Sequence, residues 1–156
     1  MKRTVGGAIL GLVIGLSGCQ SSEPVYSGDI RPVGYMESAS LWQPKAPPRL
    51  SSQAKRARET LTASGGVVFF RYDIDSNGRV QNLELTHTVP QGRISAEQFQ
   101  VAQLVAEHYK PASGNEARVP VHVQGRQVHV AGGGVWLPPD EWSDEAVIAH
   151  WRSEFQ

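Results

Sequence analysis

The sequence predicts an α+β fold: a small antiparallel sheet of about three to four strands with helices packed on one face, a disordered N-terminal tether and an extra C-terminal helix. Three observations predict it. Val68, Phe70, Tyr72 and Ile74 recur at every second position, the period of a strand. Asn77-Gly78 follows at once and is the strongest short hairpin signal. Apolar residues at helical spacing stand before that run, at Leu50, Ala54, Ala57 and Leu61, and after it, at Phe99, Ala102, Val105, Ala106 and Tyr109. A chain of 156 residues that is 40% hydrophobic supports one domain with a modest core. With 15 Lys and Arg against 15 Asp and Glu there is no net field to gather nucleic acid, which is not an expected partner.

The first residues read as an export signal. Lys2 and Arg3 precede an apolar run from Val5 to Leu16, too short to span a bilayer. Leu16-Ser17-Gly18-Cys19 then looks like a bacterial lipobox, with the chain's only cysteine at the position that takes the diacylglyceryl thioether. Residues 1–18 are therefore expected to be a cleaved lipoprotein signal peptide and Cys19 the lipidated, membrane-anchoring residue. A single cysteine spent on lipid also leaves no disulfide in an exported protein. Gln20, which is not Asp, fits sorting to the outer rather than the inner membrane. Residues 19–48 contain Pro24, Pro32, Pro44, Pro47 and Pro48 and are expected to be a tether, from which Leu41 and Trp42 could dock on the domain.

The domain is expected over residues 49–131. Its first helix ends at Gly65-Gly66 and carries Lys55, Arg56 and Arg58 on an outer, solvated face. The hairpin from Val67 to about Thr88 has a register that can be worked out on paper. A two-residue turn at Asn77 and Gly78 pairs Tyr72 with Leu83, Phe70 with Leu85 and Arg71 with Glu84, apolar pairs on one face and opposite charges on the other. Ser95 and Gln98 form a capping box for the next helix, which Pro111 is expected to close. Val119, Val121 and Val123 alternate as a third strand, and Gly125-Arg126 offers a turn that returns Val128 and Val130 antiparallel. Residues 132–156 read as a Gly-rich linker and a final helix, capped by Ser143 and carrying Val147, Ile148, Trp151 and Phe155.

The run Gly65 to Leu85, with its Asp75-Ser76-Asn77-Gly78 turn and Val80-Gln81-Asn82-Leu83 strand, followed by Tyr109-Lys110-Pro111-Ala112, resembles the C-terminal domain of TonB-type energy transducers. The resemblance covers residues 50 to 130. It implies helices on one face of an antiparallel sheet whose free edge accepts an extended peptide from a partner, commonly the periplasmic segment of an outer-membrane transporter. The sequence departs from that family in lacking an uncleaved transmembrane helix and a long Pro-rich span, so energy transduction by this chain alone is not expected. Val119, Val121 and Val123 are the expected accepting edge.

Other residue patterns point to weaker sites. Asp73, Asp75, Asn77, Gly78 and Glu84 match the spacing of a calcium loop, but their flanks are strand-like and Glu84 is expected opposite Arg71. If Gly125-Arg126 is a turn, His122 and His129 face each other and could share zinc or copper with His87 or His108. No nucleophile elbow or phosphate loop is present, so neither an enzyme nor a cofactor is expected. The leading expectation is a periplasm-facing lipoprotein that binds an envelope protein partner. Alternatives are a structural accessory acting through the helix around Trp151, and a metal-binding envelope protein.

Overall fold

β3 (Gly66–Ile74) and β4 (Val80–Val89) form the expected hairpin, with Phe70 opposite Leu85 and Arg71 opposite Glu84. The structure, a computed structural model, describes residues 23–47 and 50–156; Leu16, Ser17, Gly18 and Cys19 of the lipobox lie outside them. The pairing of Tyr72 with Leu83 is not made. The ladder slips by one residue between Arg71 and Asp73, so that Asp73 faces Gln81, and Asn82 beside the slip has a φ of 53°. The turn is longer than two residues for the same reason. Asp75 N–H donates to the Arg79 carbonyl at 3.0 Å and Gly78 N–H to the Asp75 carbonyl at 2.8 Å, with φ of 75° at Gly78 alone of the Asn-Gly pair. That is a type I turn with a glycine bulge, not the mirror-image type I′. The cause is the fully buried Asp75 carboxylate, whose Oδ1 accepts from the N–H of Asn77 and of Arg79 at 2.9 Å each.

β6 (Val121–His129) is one unbroken strand, and this corrects the expected turn at Gly125-Arg126. All nine residues pair antiparallel with β3, from Ile74 opposite Val121 to Gly66 opposite His129. Gly125 is there because it lies opposite Phe70, and a Cβ at Gly125 would overlap the phenyl ring. Glycine here marks a close approach, and the sequence alone could not separate that from a turn.

The tether is also corrected over much of its length. Residues 31–44 form β1 (Arg31–Gly34), α1 (Tyr35–Leu41) and β2 (Trp42–Pro44). β1 lies parallel to β6, Arg31 against Val121 through Gly34 against Gln124, which turns the expected antiparallel sheet into a mixed one. Trp42 is 1% exposed and donates its indole N–H to the Val119 carbonyl at 2.9 Å. The prolines permit this because Pro32 needs no donor on the outer side of an edge strand and Pro44 ends β2. β2 pairs in turn with β5 (Tyr109–Pro111) as a separate two-stranded sheet. The main sheet runs β1-β6-β3-β4, and β7 (Val135–Trp136) pairs with the far end of β6.

α2 (Ser52–Ser64) starts at a Ser51 cap and buries Ala54 and Leu61 as its periodicity predicts. α3 (Ala96–Ala102) has the expected capping box between Ser95 and Gln98 but stops well before Pro111. Gln103 adopts the left-handed conformation, with φ of 49°. Arg58 donates Nε to the Ala102 carbonyl at 2.8 Å and Nη2 to the Gln103 carbonyl at 2.5 Å, so the helix end is satisfied from α2. Arg58 is thus not a member of a solvated face, whereas Lys55 and Arg56 are exposed. Val105 and Tyr109 still reach the core, from a bend and a short strand instead of helix.

α2 and α3 cover the face of β3 that carries Val68, Phe70, Tyr72 and Ile74. α4 (Asp144–Phe155) covers the other, placing Val147 and Trp151 against Val67, Phe69 and Val128. The expectation of helices on one face therefore holds for α2 and α3 but not for α4. β3 is buried on both sides because it occupies the middle of the sheet.

Candidate functional site

A strand-accepting edge must present backbone groups that no neighbouring strand has taken, so the two margins of the sheet decide where a partner can dock. Val121 and Val123, expected at that edge, are 0% exposed and sit in a strand flanked by β3 on one side and β1 on the other. Val119 is equally engaged: its N–H donates to Asn115 Oδ1 at 3.0 Å and its carbonyl accepts from Trp42. The expected accepting edge is therefore corrected, because β1 from the supposed tether already fills the place a partner strand would take.

The margin beyond β6 is closed by more than hydrogen bonds. β1 has only four residues, and Pro32 among them offers no N–H outward. At its end the Asp140 carboxylate, far away in sequence, accepts the N–H of Met36 at 3.1 Å and of Glu37 at 2.7 Å, capping α1. Arg126 reaches Asp144 at 2.6 Å, so the same region is stitched to α4.

The opposite margin is β4. It has ten residues and, among the described residues, no strand beyond it. Asn82, Glu84, Thr86 and His87 are exposed along it. Its first residues are partly engaged, since Val80 N–H donates to the Glu107 carbonyl at 3.2 Å and the Leu83 carbonyl accepts from the Gln100 side chain at 2.6 Å. Beside them lies a groove of about 330 Å³, lined by Leu83, Val105, Ala106, Glu107 and others. Arg71 and Glu84, matching the calcium spacing only by Glu84, form a solvent-exposed pair at 2.8 Å. That pairing takes up the twelfth-position ligand a calcium loop needs.

The histidines do not make the expected pair. His122 and His129 lie on the same strand, roughly 23 Å apart at about 3.3 Å per residue, and cannot share an ion. His122 instead meets Asp73, Nδ1 to Oδ1 at 2.7 Å. The other oxygen of Asp73 accepts from Asn82 at 2.7 Å and from the Tyr26 hydroxyl at 3.5 Å. This clasp ties β3, β4, β6 and the segment before β1 together, and Tyr26 has its phenol pKa raised by burial and by the Asp73 and Asp75 carboxylates. His129 is 2% exposed, and burial, with the neighbouring Arg58 cation, lowers its pKa from 6.5 to about 4. It is a neutral imidazole near neutrality. His87 stacks on Phe69 with ring centres 4.1 Å apart, and His108 bridges to Arg79. Among the described residues no group of three or more His, Cys, Asp or Glu is placed to hold a metal.

The helix around Trp151, the alternative contact, spends Val147 and Trp151 on the core, while Trp136, Trp142, Ile148 and Phe155 pack around them half-buried. Among the described residues no helix is long and apolar enough to cross a membrane. The chain matches no family model, no curated protein and no solved structure.

Proposed function

We propose that this chain is an envelope lipoprotein, anchored through Cys19, whose TonB-like domain binds an extended segment of a protein partner by strand addition along β4. The observation that carries this reading is that the sheet ends in a ten-residue strand with no strand beyond it among the described residues, while its other margin is filled by the chain itself. β4 also has the features of an edge kept for a selected partner. Two register slips and an exposed charge pair discourage indiscriminate pairing, and the groove beside Leu83 gives an incoming side chain an apolar seat. Affinity would come from main-chain hydrogen bonds and selectivity from that seat, with no bond made or broken and no cofactor. The TonB resemblance favours an outer-membrane transporter as the partner class, and the lipobox favours a periplasm-facing anchor in the outer membrane.

Site-specific photo-crosslinking in cells tests the reading. Probes at Asn82, Glu84 and Thr86 should each capture the same protein, whereas probes at Lys55 on α2 and Glu145 on α4 should not. Adducts from Lys55 or Glu145 in place of the β4 positions would contradict it.

A further inference from the structure

The segment before β1 is fastened to the hairpin turn. Val25 N–H donates to Asp75 Oδ2 at 3.4 Å, the Val25 carbonyl accepts from Ser76 N–H at 2.7 Å, and Ser27 N–H donates to Ser76 Oγ at 2.9 Å. Arg31 N–H then donates to the Pro120 carbonyl at 3.0 Å where β1 begins. Asp75 and Ser76 are buried, so these bonds are shielded from water and fix the chain's entry point at one end of the sheet. Six residue steps separate Cys19 from Val25, and covalent geometry limits them to about 20 Å. Thirty free residues would reach roughly 90 Å at about 3.1 Å each. The hairpin-turn end is thus the one that a lipid on Cys19 brings to a bilayer, while the Gly66 end of β3 lies about 26 Å from it, at about 3.3 Å per residue. The same end carries apolar surface, since Val25 is 43% and Ile30 41% exposed. Exposed charges of both signs stand there, Lys45 and Lys110 with Asp29 and Glu107, which suits a zwitterionic headgroup layer without requiring an anionic one.

We infer that the domain sits on the surface of the membrane that holds Cys19, hairpin turn towards the bilayer, with Val25 and Ile30 in the headgroup layer. This rests on Cys19 being the anchor. Two half-exposed aliphatic side chains hold a free protein on a bilayer only weakly, but a lipid on the same chain makes their contact intramolecular, at an effective concentration in the millimolar range. The placement puts the Val80 end of β4 nearest the bilayer and its Val89 end outermost. A segment added along β4 then lies within roughly 50 Å of the anchoring membrane, the sum of the leash and ten strand residues, and comes from a partner at that membrane instead of from across the periplasm.

The mature, lipidated full chain in phosphatidylcholine vesicles tests this. With Cys19 lipidated no other cysteine is present, so a single introduced cysteine can carry a fluorophore whose quenching by nitroxide-headgroup lipid reads its height above the surface. Labels at Asn77→Cys and Lys45→Cys should be quenched several-fold more strongly than one at Gln91→Cys, which is exposed beyond the far end of β4. Inserting about 20 Gly and Ser residues between Ser22 and Glu23 lengthens the leash without touching the fold and should reduce that difference severalfold. Val25→Glu with Ile30→Glu should also reduce it, whereas Met36→Glu, 52% exposed on α1, should not. Equal quenching at the three positions, stronger quenching at Gln91→Cys, or a difference unchanged by the insert or by the double variant would overturn the inference and leave the anchor standing. A mature chain that stays in solution when the vesicles are floated would remove the anchor, and the inference with it, so flotation separates the two failures.

Discussion

The two margins of the main sheet are finished in opposite ways. Beyond β6 the chain supplies its own parallel strand, pins it with a buried tryptophan and caps the following helix with a carboxylate from near the C-terminus. At β4 it supplies bulges, charges, a shallow groove and, at the first residues, bonds from Glu107 and Gln100. Both are ways of managing an unpaired edge, but the second leaves the longer run of backbone groups for another molecule. The lesson is that an edge strand cannot be chosen from its own sequence. Val121 and Val123 have the more strand-like, more apolar residues, and for that reason they are buried in the interior of the sheet.

The largest effect that would sharpen this contrast is expected at Trp42. Trp42→Ala should cost about 4 kcal/mol in urea denaturation, from the lost ring and the orphaned Val119 carbonyl. If residues 31–44 were only a tether, the cost would stay within about 0.5 kcal/mol.

A smaller effect concerns His129, which sits on the covered side. Its pKa is near 4 in the folded chain against 6.5 for the free side chain, so between those values the unfolded chain holds a proton that the folded one does not. Stability should therefore be complete above about pH 7, fall as the pH drops through 6.5 and level off below about 4. Allowing for relaxation around the buried ring once it is charged, the loss should be on the order of 2 kcal/mol. His129→Gln should flatten that part of the pH profile measured by thermal or urea unfolding.

The smallest effect belongs to the open margin. Glu84→Gln removes an exposed ion pair and should change stability by less than about 0.5 kcal/mol, because both partners are about half exposed. A larger cost would mean that β4 is less free than its position in the sheet indicates.

The parts of this arrangement that were legible in the sequence are the local ones. Phe70 with Leu85 and Arg71 with Glu84 follow from strand period and a turn signal only a few residues away. Ser95 and Ser143 cap their helices as expected because each cap bonds a backbone N–H three residues on. What was not legible depends on distant partners. Pro32 and Pro44 read as tether because prolines weaken helices and central strands, yet both fit edge positions once β6 and β5 are present to pair with them. Gly125 read as a turn because nothing nearby in sequence announces the Phe70 ring above it. Tyr109 continued the α3 periodicity, but Arg58 reached over from another helix to end α3 at Ala102. The same non-local pairing moved the candidate docking edge from Val119, Val121 and Val123 to β4, and separated His122 from His129.

The contrast between the margins can be read directly by native-state amide hydrogen exchange. The amides of Val121 to Gln124 should exchange only through global unfolding, on both sides of the strand, while the outward amides of Leu85 to Thr88 exchange through local fluctuations and orders of magnitude faster. Rapid exchange at alternate positions of Val121 to Gln124, or protection of all of β4 at the global level, would contradict the account.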